Sequence, residues 1–221
     1  MLVRGAPGTG KTTLGMQFLY HGAVERGEAG LLVTFEEFPQ FLYRDAKGLG
    51  WDLRALEEAG KLQVMFTSPS VFLAALQSPD SELSQQIRQR NVRRVVLDSV
   101  SHFARLTQDP SELRDMYNVA TNGLKRERVT ALLTAEDARA ALPQQERGRL
   151  LYVVDTIVLL RYVEIESSMQ KALVILKMRG SSHAKEIRRF TIGPGGIAVG
   201  EAFEHREGLL SGIPRLLPAR P

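Results

Sequence analysis

The 221-residue chain has no cysteine. That excludes disulfides and thiolate metal sites, and it fits a reducing compartment. No apolar run is long enough to span a bilayer, and no secretory leader stands at the N-terminus. The expectation is a cytoplasmic protein without membrane contact. Aromatic residues are sparse, at 7% with a single tryptophan, and low-complexity runs are missing. There is no acidic excess either. The net charge is +4, and the surplus collects after Lys177, where Arg179, Lys185, Arg188, Arg189, Arg206, Arg215 and Arg220 outnumber the acids. Such a bias fits nucleotide phosphates, an acidic partner surface or nucleic acid equally well. The length suits one α/β domain with a real core.

What is present begins almost at once. Gly5-Ala6-Pro7-Gly8-Thr9-Gly10-Lys11-Thr12-Thr13 follows the short apolar lead Leu2-Val3 and precedes Leu14 and Phe18 at helical spacing. It fills every position of the phosphate-loop pattern. Gly5, Gly8 and Gly10 let successive N–H groups turn toward a phosphate, and the helix starting near Lys11 aims its positive end there. Lys11 is assigned to the β- and γ-phosphates and Thr12 to Mg²⁺, with Thr9 and Thr13 in the same nucleotide-binding stretch. Leu2-Val3-Arg4 is short for a strand, so the natural opening is expected to lie upstream.

Downstream, apolar runs alternate with helical patterns. The helix after Lys11 presents Leu14, Phe18, Leu19 and Val24 and stops at Gly27. Leu31–Phe35, Leu62–Phe66, Arg93–Ser99 and Thr130–Thr134 read as buried strands, with helices between them. The alternation implies a mostly parallel sheet covered on both faces, the α/β class. Two runs then read as an antiparallel pair, Tyr152 to Val163 and Lys171 to Met178, joined by residues 164–169. A closing hairpin follows over Gly193-Pro194-Gly195. Asp98, ending an apolar strand, is the expected second magnesium partner. Glu36 and Glu37 end another strand, where open parallel sheets collect ligands, and one of them is suited to orient a water and accept its proton.

Several distant pieces together carry a resemblance. Beside the phosphate loop these are Thr34-Phe35-Glu36-Glu37, Gly50-Trp51-Asp52-Leu53, Val95–Ser99, Thr134-Ala135-Glu136, Asp155–Ile165 and Lys177-Met178-Arg179-Gly180-Ser181-Ser182-His183. The chain resembles, over nearly its whole length, the KaiC family of RecA-like ATPases, and in particular the phosphorylated second domain of the family's clock member. The resemblance implies a P-loop NTPase with a C-terminal antiparallel extension, ATP and Mg²⁺ as ligands, and a homo-oligomeric ring, a hexamer. It makes Glu36 or Glu37 the water-activating residue, with Glu36 favoured. It also implies that Lys177, Arg179 and His183 reach a neighbouring subunit's triphosphate, where cations stabilise phosphoryl charge. Where the clock domain has its phosphorylated Ser and Thr, this chain has Leu151-Tyr152. Hydrolysis without Ser/Thr autophosphorylation is therefore expected.

Residues 1–203 are read as the ATPase domain. Residues 204–221 read either as the opening of a second such unit, through Leu209–Leu216, or as a Pro-rich tail. Two other functions stand beside the ring ATPase. One is a slow ATP-dependent switch that docks a regulatory protein partner. The other is a DNA-acting motor, which the near-balanced charge and missing aromatics of residues 137–149 disfavour.

Overall fold

A computed structural model describes residues 1–136, 153–204, 206–210 and 215–216. The first half alternates as expected: β1 (Leu2–Gly5), α1 (Lys11–Glu25), β2 (Ala29–Thr34), α2 (Pro39–Gly48), α3 (Leu53–Glu58), β3 (Leu62–Phe66), α4 (Pro69–Gln77), α5 (Glu82–Gln89), β4 (Val92–Asp98), α6 (Pro110–Arg126) and β5 (Thr130–Glu136). Then come β6 (Thr156–Ile165), β7 (Ser168–Met178), β8 (Arg188–Gly193) and β9 (Gly196–Ala202), with the short pair β10 (Arg206–Glu207) and β11 (Arg215–Leu216). Local chemistry sets many boundaries. Asp52, Ser68, Ser81 and Asp109 each accept a backbone N–H at a helix start, and Pro39, Pro69 and Pro110 sit in first turns.

Nine strands form one sheet in the order β3-β2-β4-β5-β1-β6-β7-β8-β9. The pairings are parallel up to β6 and antiparallel from β6 to β9. Successive strand residues serve opposite faces, and here both faces are apolar. Leu2, Leu31, Val33, Val95, Leu97 and Leu133 pack with Phe72, Leu76, Ile87, Phe103 and Leu124 on one side. Val3, Leu32, Val96 and Leu132 pack on the other with Met16, Leu19, Trp51, Phe190 and Ile197. The α/β architecture with an antiparallel extension therefore stands. Among the described residues no helix is long and apolar enough to cross a membrane.

Four details differ from the sequence reading. Val24 is 53% exposed, because the buried stripe of α1 runs through Gly15, Met16, Leu19, Gly22 and Ala23 instead. The strand read from Tyr152 starts at Thr156, while Leu151 and Tyr152 lie outside the described residues, as do residues 137–150. The expected six-residue connection 164–169 shrinks to a two-residue turn, with Glu166 and Ser167 at φ 51° and 59°. Both strands pair up to it, Ile165 opposite Ser168, so ladder hydrogen bonds offset the left-handed backbone. A 3₁₀ turn, Val100–Arg105, follows β4 without having been anticipated.

Candidate nucleotide-binding site

The C-terminal ends of β1, β2, β4 and β5 open on one cleft of about 210 Å³. Its walls include Gly8, Lys11 and Thr12 from the loop after β1, Glu36 and Glu37 after β2, Asp98 at the end of β4 and Glu136 at the end of β5. This is where a parallel sheet leaves strand ends, and helix N-termini, unfilled.

The loop is held by its own polar groups. The Ala6 carbonyl accepts from the Thr9 N–H at 3.3 Å, the Thr9 hydroxyl at 2.8 Å and the Lys11 ammonium at 3.1 Å. Thr9 is fully buried, and its hydroxyl serves the loop rather than a ligand. Gly10 takes φ 103° at the entry to α1, and a Cβ there would sit 2.6 Å from Ile192 Cδ1. The first turn of α1 has no side-chain cap and no acidic residue, which leaves its N–H groups for an anion. Thr13 lies half-buried in that turn, and Gly5 forms the last residue of β1.

Thr12 and Asp98, 86 positions apart, are joined by a 2.6 Å hydrogen bond from the Thr12 hydroxyl to Asp98 Oδ2. Asp98 Oδ1 accepts from the Thr134 hydroxyl. These hard oxygens suit Mg²⁺, which typically takes one or two carboxylates and fills the rest with water and phosphate oxygens. Among the described residues no three His, Cys, Asp or Glu side chains cluster as an all-protein metal cage. Burial lowers the Lys11 ammonium from its usual range, opposed by the Glu136 and Asp98 charges. Burial also raises the Glu37 carboxyl, with repulsion from Asp98, Asp45 and Glu36 adding to it. Glu37 is anchored through its backbone, whose N–H donates to the Thr34 hydroxyl and whose carbonyl accepts from it.

Lys177, Arg179 and His183 do not join this cleft. Lys177 pairs with Ile157, which pairs with Leu2, whereas the loop leaves β1 after Gly5. Lys177 therefore stands level with the start of β1, about 10 Å along the strand direction from Gly5. There its ammonium donates to the Val154 carbonyl at 2.9 Å. Arg179 pairs with Asp155 at 3.1 Å. His183 is half-buried in the segment before β8.

Three contacts escaped the sequence reading. The Tyr162 hydroxyl donates to the Gly8 carbonyl at 2.6 Å, and Lys171 donates to the same oxygen at 3.2 Å while lying over the Tyr162 ring. His102 Nε2 stands 3.1 Å from Glu36 Oε2. No local pattern announces these, because each needs the strand order. Tyr162 reaches the loop only since β6 lies beside β1 and runs past its end.

With this geometry in view, the comparisons are specific. A profile of the KaiC ATPase family matches residues 1–204. The circadian clock protein KaiC3 of Synechocystis sp. is 34% identical over 218 residues, 97% of this chain and 42% of that protein. The circadian clock oscillator protein KaiC of Synechococcus elongatus is 36% identical over 205 residues, 90% of this chain and 39% of that protein. The chain thus spans about two fifths of the length of these curated relatives. Among solved structures, a KaiC-like protein from Pyrococcus horikoshii superposes with a TM-score of 0.78 at 30% identity, covering 90% of this chain and 88% of that one.

Proposed function

The chain belongs to the KaiC family of ATPases, and from that premise we propose that it binds ATP with Mg²⁺ and hydrolyses it to ADP and phosphate in this cleft. We further propose that Lys177, Arg179 and His183 of a neighbouring copy complete the site in a homo-oligomeric ring, a hexamer. The observation that carries the hydrolysis reading is the Thr12–Asp98 hydrogen bond, beside Lys11 and facing Glu36 and Glu37. The cleft holds four carboxylates, Glu36, Glu37, Asp98 and Glu136, against one lysine. A triphosphate adds more negative charge, so binding it requires a cation at the two oxygens of Thr12 and Asp98.

When bound, Mg²⁺ supplies Lewis-acid neutralisation of the phosphate oxygens. Lys11 leaves the Ala6 carbonyl for the β- and γ-phosphates, and the loop N–H groups orient them. Glu36 or Glu37 accepts a proton from the attacking water as its oxygen bonds to the γ-phosphorus, and the bond to the ADP oxygen breaks. The trans role is supported by the sheet register, which separates Lys177 and Arg179 from the loop of their own subunit. With Leu151-Tyr152 where the clock domain has Ser and Thr, no Ser/Thr phosphorylation cycle accompanies the turnover.

The test is the double substitution Glu36→Gln/Glu37→Gln. Amides keep the shape but accept no proton, so steady-state turnover should fall by roughly 10²-fold or more while calorimetry finds ATP affinity nearly unchanged. Turnover at the unmodified rate would move the proton acceptor elsewhere, to Glu136 first.

A further inference from the structure

The 3₁₀ turn Val100–Arg105 gathers three strand ends. It follows Asp98 of β4 after the single residue Ser99. Ser101 Oγ accepts the Glu136 N–H at the end of β5 at 2.8 Å. His102 and Arg105 both reach Glu36, just past the end of β2: His102 Nε2 lies 3.1 Å from Oε2 and Arg105 Nη2 lies 3.7 Å from Oε1.

The two contacts to Glu36 are not equal. The Arg105 and Glu36 side chains are 69% and 63% exposed, and a long ion pair between such groups contributes little. His102 is 7% exposed, with the Phe35 ring edge-on at 6.2 Å, so its imidazole cannot swing away. A buried imidazole thus faces an exposed carboxylate at ion-pair distance. A polar ring aimed into the cleft points to work on Glu36.

We propose that His102 is a positioning residue that holds the Glu36 carboxylate in the cleft for proton transfer from the attacking water. This rests on the ATPase reading and makes Glu36, rather than Glu37, the carboxylate whose placement is controlled. Because the turn begins two residues after Asp98, the metal-side carboxylate and the proton-accepting carboxylate are tied to one short stretch of chain. An error of about 1 Å in such a group is enough to slow a reaction many-fold.

The experiment compares His102→Phe, which keeps the ring packing without a donor, with His102→Gln, which keeps a donor of similar reach. Turnover and affinity for a non-hydrolysable ATP analogue with Mg²⁺ are measured for each, alone and combined with Glu36→Gln. His102→Phe should lower kcat roughly tenfold with analogue affinity within about twofold. His102→Gln should regain a substantial share of the rate, and in the Glu36→Gln background His102→Phe should cost nothing further. Unchanged kcat in His102→Phe, a full additional loss in the Glu36→Gln background, or wild-type turnover in Glu36→Gln alone would each overturn the proposal while leaving the ATPase reading in place. Absence of turnover in the unmodified chain would overturn both. If His102→Phe does not fold, His102→Asn, too short to reach Glu36, gives the same readout.

Discussion

Glu37 and Lys11 are both held against their preferred charge in the same cleft, and for the same reason. Each is partly withdrawn from water before any ligand supplies the opposite charge: the lysine is lowered by burial, the glutamate raised by it. For Glu37 the sign of the stability effect follows. A raised folded-state value means the protonated form fits the folded chain better, so its contribution is full below the ordinary glutamate range and is lost as pH rises through the raised value. Glu37→Gln removes that loss. Without nucleotide, the thermal midpoint of Glu37→Gln should exceed that of the unmodified chain near neutral pH and above, and the gap should close as pH falls below the carboxylate range. A gap independent of pH in scanning fluorimetry would assign the effect to packing. Stability given up for a prepared binding cleft is the usual trade at functional sites.

At the level of elements, the antiparallel extension is what braces the phosphate loop. The β8–β9 hairpin is tied to α1 through Gln17, whose amide donates to the Ile197 carbonyl at 3.1 Å and accepts the Ile197 N–H at 2.7 Å. The Gly195 N–H adds a bond to the Leu49 carbonyl at 2.8 Å. Gly196, at φ 94°, lets the hairpin descend onto Trp51, where a Cβ would lie 2.4 Å from Cζ2. Gly196→Ala combines a clash with a buried ring and a left-handed backbone, and should cost about 2–4 kcal/mol, read as a drop in thermal midpoint. Gly180→Ala is the control. Its φ of 73° is equally unsuited to alanine but nothing lies within 4 Å, so only about 1 kcal/mol is expected. Equal losses at both positions would mean the hairpin is not packed against Trp51. From β6 and β7, Tyr162 and Lys171 both hold the loop through the Gly8 carbonyl.

Across the whole molecule, the loop and the Lys177–Arg179 turn lie toward opposite ends of the sheet. Under the trans role proposed above, one end of the sheet supplies phosphate contacts and the other receives them, the head-to-tail arrangement that closes into rings. Arg179→Ala and Lys11→Ala chains should each be inactive or nearly so. Mixed one to one, a random ring pairs an intact loop with an intact neighbouring arginine at about a quarter of its interfaces, so roughly a quarter of the activity should return. No recovery in rings shown to be mixed by native mass measurement would remove the trans role from Arg179. A chain that stays monomeric with ATP and Mg²⁺ would remove the ring.

The phosphate loop, the carboxylates Glu36, Glu37 and Asp98 at strand ends, and the alternation of strands and helices are legible in the chain alone. Each of these is written within about ten neighbouring residues, as a glycine spacing, a hydrophobic period or a cap. Even the internal position of β7 was legible, because Ala172 to Ile175 are apolar on both faces. That β1 lies between β5 and β6 emerges only when the sheet is assembled. Tyr162 meets Gly8 across 154 positions because of it, and the β2–β4 pairing lets His102 meet Glu36 from a turn that no periodicity marks. Strand pairing joins backbone groups that are identical in every strand, so a partner is chosen by how all the apolar faces are covered together, a property of the whole chain and of no single stretch.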